Sequence, residues 1–144
     1  MSNPADELAI RDLVARYIDA VNRYHQADWA ATWSETAHWN LMGMEVEGRD
    51  AIVGLWGGAM ASFDFALMML NSGTLQIDGD SATGRWYITE HIKPKEGDAN
   101  ITLGVYDDEY RKENGQWLFS NRRYNVMYQG AADYSGNYTP YRPD

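Results

Sequence analysis

The chain has no cysteine, which excludes disulfides, thiolate nucleophiles and cysteine-ligated metals together. Histidine is scarce too: His25, His38 and His91 are its three. Their positions show no metal-ligand spacing, so no zinc or iron site is expected. Lys and Arg number 12 against 21 Asp and Glu, a formal charge of -9. An acidic surface repels the phosphates of nucleic acids and anionic membranes, and neither is expected as a partner. Plain solubility accounts for that charge. No apolar run approaches the ~20 residues of a membrane span. The start, Met1 to Glu7, has no basic stretch and no signal-peptide core, so the chain reads as cytoplasmic. Gly43, Gly57, Gly58 and Gly104 form no phosphate cradle, and no nucleophilic triad is visible.

Aromatic residues are what it has in quantity: six Trp, ten Tyr and three Phe. Rings supply large buried area and, in Tyr and Trp, a polar handle. They suit a cavity for a bulky ring-containing ligand, and they suit an oligomer interface equally well. At 144 residues the chain is read as a single domain, 1–144, able to bury a core without staples.

Asn3-Pro4 with Asp6 predicts a helix start, and Ile10, Leu13, Val14, Tyr17, Ile18 and Val21 recur at helical spacing. Asp28 is expected to cap a short helix from Trp29 to about Trp33. Ala37–Leu41 reads as a brief strand, and Ile52, Leu55, Trp56, Ala59 and Met60 mark a third helix. Strands are expected over about 66–78 and 82–91. A hairpin then turns at Asn114-Gly115, a pair suited to the two positive φ angles of a type I′ turn. Its arms run about ten residues each, longer than the usual five or six. They end near Tyr128, and 129–144 is read as an irregular tail. Helices followed by long antiparallel strands make an α+β plan, a curved sheet wrapped around the N-terminal helices as a cone with an open mouth.

Ile10-Arg-Asp-Leu13 through Asp28-Trp29, Ala82-Thr-Gly-Arg-Trp-Tyr87, and Tyr106-x-x-Glu-Tyr110 followed by Gly115-x-Trp117 resemble the SnoaL-like branch of the nuclear-transport-factor-2-like superfamily. The resemblance covers about Ala9 to Tyr128. The hairpin is similar to that of the hexachlorocyclohexane dehydrochlorinases, and Thr83 to Tyr87 to the bile-acid 7α-dehydratases; scytalone dehydratases are more distant. It implies the cone fold, a lyase without cofactors, and a homo-oligomer, a trimer or else a dimer. Such enzymes use an Asp–His dyad. Here the aspartate falls on Asn22 and the histidine on Met69, neither of which can take a proton from carbon. Arg122 and Tyr17 match a pocket arginine and a pocket tyrosine of the family.

Strand alternation sends Trp86, Ile88 and Glu90 to one face of their strand, by resemblance the cavity face, and sends His91 to the other. Trp39 and Leu41 likewise point inward and His38 outward. A carboxylate at Glu90 beside Trp86 and Ile88 would be desolvated and its pKa raised toward the range of a general base. Arg122 would anchor a phenolate, a carboxylate or a developing oxyanion, or else brace the sheet as an ion pair with Glu90. Tyr17, Tyr106 and Tyr124 could donate to a substrate oxygen. Asn22 could bond substrate or serve as a cap. Met69 and Val126 complete the expected lining, and Asp108, on the Tyr106 face, is a weaker second acid. The reading is a cofactor-independent lyase that eliminates water or a small fragment from a hydrophobic, hydroxylated aromatic molecule. An isomerase or polyketide-cyclase-like enzyme is one alternative. A non-catalytic small subunit of a ring-hydroxylating oxygenase is the other.

Overall fold

Asn3 and Pro4 begin the first helix as their chemistry dictates. In the computed structural model, which describes residues 3–135, 137, 139, 140 and 143, helix α1 spans Pro4–Arg23. The Asn3 side chain accepts the Ala5 N–H, and the apolar stripe from Ile10 to Val21 is buried. Tyr24, at φ 55°, closes the helix in the left-handed conformation. Helix α2 departs from expectation. It runs Gln26–Ala30, and its cap is His25, whose Nδ1 accepts the Asp28 N–H at 3.2 Å. Asp28 turns to Arg23 at 2.9 Å instead. Trp33 belongs to a strand, not to the helix.

Six strands follow: β1 (Trp33–Leu41), β2 (Met44–Glu47), helix α3 (Arg49–Ala61), then β3 (Phe63–Asp78), β4 (Ser81–Pro94), β5 (Asn100–Glu113) and β6 (Gln116–Ala131). Each long strand exceeds its sequence estimate, because ladder pairing with a neighbour carries it past the point where its own residues look strand-like. β2 was not expected. Its turn, Met42-Gly43, has positive φ at both residues, and Met42 gives none of the usual signal for that geometry. The Asn40 side chain supports it by accepting the Gly43 N–H at 3.2 Å. Asn114-Gly115 forms the expected turn, with φ of 51° and 79°.

The strands order as β2-β1-β6-β5-β4-β3 in one open, curved sheet, antiparallel except where β1 runs beside β6 in parallel. α1 packs on its concave side. Much of the aromatic content fills the space between helices and sheet: Tyr17, Trp29, Trp33, Trp39, Trp56 and Phe119 form one cluster, with Trp29 stacked on Trp56 at 4.4 Å. On the outer face Met69, Thr89, Leu103 and Tyr128 form one register row, and all but Thr89 are exposed. β6 reaches Ala131, so the irregular tail starts later than expected; Tyr134 bonds His91 on that outer face at 2.8 Å. Met1, Ser2, Gly136, Tyr138, Tyr141, Arg142 and Asp144 lie outside the described residues. Among the described residues no helix is long and apolar enough to cross a membrane.

Candidate active site

Sheet register turns the concave face into an ordered series of rows. From the mouth inward they are Ile92–Asn100, then Met68–Glu90–Thr102–Gln129, then Ile88–Gly104–Val126, then Trp86–Tyr106–Tyr124, then Asp108–Arg122. Two bulges in β6 set this alignment. Ser120 and Met127 are each an extra residue against β5, so the inward positions pass from Trp117 and Phe119 to Arg122 and Tyr124, and then to Gln129. Helices α1 and α3 cover the face and leave a cavity of about 250 Å³ at its wide end. Its wall includes Tyr17, Trp39, Leu41, Trp56, Met68, Glu90, Tyr106 and Tyr124.

Among the described residues Glu90 is the one acidic residue on that wall, and none of the wall's residues is Lys, Arg or His. Its side chain borders the cavity while protein packs densely around it, and the loss of water raises its pKa above the ordinary carboxylate value. The Tyr124 hydroxyl beside it pulls the pKa part of the way back. Glu90 in turn, together with burial, holds the Tyr124 phenol firmly protonated. That hydroxyl is buried and makes no hydrogen bond of ordinary geometry. The missing side chain of Gly104 explains its reach. A Cβ there would lie 2.4 Å from the Tyr124 ring, so only glycine lets the ring lean along β5 toward the Glu90 row.

Deeper in, the Tyr17 and Tyr106 hydroxyls share a hydrogen bond at 3.3 Å. Two phenols carry two protons and this bond uses one, which leaves one to donate elsewhere. Behind their rings lies Arg122, 1% exposed, with its guanidinium carbon 3.6 Å from the Tyr106 ring centre and 4.4 Å from that of Tyr17. Its charge lowers both phenols against the upward push of burial. Arg122 does not meet Glu90 and does not line the cavity. It is held by Asp108 through two bonds of 2.7 and 3.1 Å, and the Tyr110 hydroxyl donates to the same carboxylate at 2.7 Å. Burial disfavours the Asp108 charge, but the bidentate pair keeps Arg122 protonated. The expected arginine ion pair exists, with Asp108 and not Glu90 as its acid. The expected anchoring of a substrate oxygen by Arg122 does not hold.

Other expectations are corrected. The Asn22 amide grips the backbone of Met68 on edge strand β3 from both sides, donating at 2.9 Å and accepting at 2.8 Å. It is a clamp between helix and sheet, and it fixes which residue faces in: Met68 lines the cavity and Met69 is 43% exposed. Trp86 lies over Gly73, with its indole N–H donated to Tyr110 at 2.7 Å, and so is withdrawn from the cavity. Ile88 and Val126 flank Gly104 in one row, where the Tyr124 ring lies against Gly104, and neither lines the cavity. Tyr17, Trp39, Leu41, Glu90, Tyr106 and Tyr124 do line it. The sequence reading missed Asn100, Thr102 and Gln129. The first two share parity with Tyr106 and could have been found by counting back along β5; the Met127 bulge hides the third. Among the described residues no group of acidic or histidine side chains could hold a metal.

No curated protein sequence matches the chain. Solved structures do. A scytalone dehydratase-like protein of Novosphingobium aromaticivorans is 20% identical over 96% of this chain and 93% of its own, with a TM-score of 0.82. The hexachlorocyclohexane dehydrochlorinase LinA-type3 of Novosphingobium barchaimii is 20% identical over 94% and 95%, with a TM-score of 0.83. A Mycobacterium tuberculosis protein of unknown function is 26% identical over 86% and 77%, with a TM-score of 0.78. These likenesses establish the cone fold. The SnoaL-like domain family matches residues 3–123, and the chain belongs to that family.

Proposed function

We propose that this protein is a small-molecule lyase that eliminates water, or another small fragment, from a ring-containing substrate. The observation that carries the reading is Glu90, an enclosed carboxylate and, among the described residues, the one charged side chain on the cavity wall. A structural acid so placed would be expected to have a cationic partner. Burial brings its pKa toward the range where a base both stays ionised and binds a proton well. In the proposed step Glu90 takes a proton from carbon, the C–H electrons form the new C=C bond, and the neighbouring C–O bond breaks. The departing oxygen receives its proton from the Tyr17–Tyr106 pair, which Glu90 reprotonates. The chemistry needs one base and one donor, and the presence of Glu90, Tyr17 and Tyr106 on one wall supports that reading. Dehydrochlorinase and scytalone dehydratase-like neighbours are in keeping with an elimination.

A single carboxylate with no second charged acid also favours a proton shuttle, in which Glu90 returns the proton to another carbon as an isomerase would. A neutral aryl β-hydroxy ketone separates the two, because dehydration gives a conjugated enone seen by ultraviolet absorbance while shuttling exchanges deuterium without net loss. Glu90→Gln is expected to lower turnover about 10²–10⁴-fold while the variant still binds the ketone. Turnover unchanged in this variant would end the proposal.

A further inference from the structure

The cavity wall carries a second polar group beside Glu90. Thr102 pairs with Glu90 across β4 and β5, and with Gln129 across β5 and β6. Its hydroxyl donates to the Asn100 side-chain oxygen Oδ1 at 3.3 Å and accepts from the Gln129 side-chain amide at 3.3 Å. Among the described residues nothing bonds the Asn100 amide nitrogen or the Gln129 carbonyl, and both side chains border the cavity. Together they can donate to and accept from a ligand oxygen, and they carry no charge. Apart from the hydroxyls of Tyr17, Tyr106 and Tyr124 the rest of the wall is largely apolar, with Leu41, Trp56, Met60, Met68 and Ile92 among it. Arg122, behind the tyrosine rings, is held by Asp108.

We infer that the cavity takes an uncharged ring compound with two oxygen functions, one at Glu90 and the other at Asn100–Thr102–Gln129, and rejects the matching carboxylate. This substrate class rests on the reading of the cavity as the reaction site. The space of about 250 Å³ exceeds the ~150 Å³ of an apolar cavity known to hold benzene, so a substituted ring fits. A carboxylate placed there would sit beside the Glu90 charge and, among the described residues, would find no cation on the wall to offset it. The formal charge of -9 acts in the same direction during approach.

The test compares p-methoxybenzyl alcohol with p-methoxybenzoate, two probes of one shape, by tryptophan fluorescence titration at neutral pH. The alcohol is expected to bind at least about tenfold more tightly. Thr102→Val combined with Gln129→Leu is expected to weaken the alcohol about fivefold while leaving p-xylene unchanged. Equal binding of acid and alcohol overturns the inference, as does full alcohol affinity in the double variant. Turnover is not read. A protein that discriminates between the probes yet converts no ketone therefore supports this inference while counting against the lyase.

Discussion

At the scale of single residues, Glu90 and Tyr124 form an unequal pair whose consequences can be measured. Burial raises the Glu90 pKa and the Tyr124 hydroxyl opposes that rise. A base works in its ionised form, so activity should climb with pH as Glu90 loses its proton, with the limb above the ordinary carboxylate range. Tyr124→Phe removes the group that favours the carboxylate, and the limb should then move to still higher pH. A pH profile of kcat/KM checks this; a limb unmoved, or moved down, would show that Tyr124 does not act on Glu90. The sequence made Glu90 legible through parity, with the family resemblance saying which face looks inward. Parity also placed Asp108 on the Tyr106 face as a weaker second acid, but it could not show Asp108 as the partner of Arg122. Only the pairing of β5 with β6 sets the two opposite each other in the interior.

Among elements, β5 carries the least conspicuous requirement of the site, the hydrogen at Gly104. A methyl group there would collide with the Tyr124 ring and push its hydroxyl away from Glu90. Gly104→Ala is therefore expected to reproduce the pH shift of Tyr124→Phe with the phenol still present; a wild-type profile in a folded variant would contradict this ring placement. The elements whose boundaries were legible are those with chemical punctuation, such as Asn3-Pro4 before α1 and Asn114-Gly115 between β5 and β6. β2 was not, since Met42 occupies a turn position with nothing in its side chain to announce it. Alternation also failed locally. It is a count, and the bulges at Ser120 and Met127 break the count while the Asn22 clamp decides between Met68 and Met69.

For the molecule as a whole, the cone has a sealed end and an open end. Trp86, Tyr110, Asp108 and Arg122 close the sealed end as one hydrogen-bonded network. Asp108→Asn would strand the Arg122 charge in the interior and should cost about 3–5 kcal/mol, read by urea denaturation. A loss within ~0.5 kcal/mol would mean that the pair is not buried in solution. Strand β6 crosses from one end to the other, and its two bulges act on its side chains as a pair of frameshifts acts on a message. Each restarts the inward phase, dividing the strand into a segment for the core, one for the network and one for the mouth. A residue gained or lost in one segment can be absorbed at its own boundary without reversing the faces of the others. The lining of the mouth is thereby free to diverge while the sealed end stays as it is.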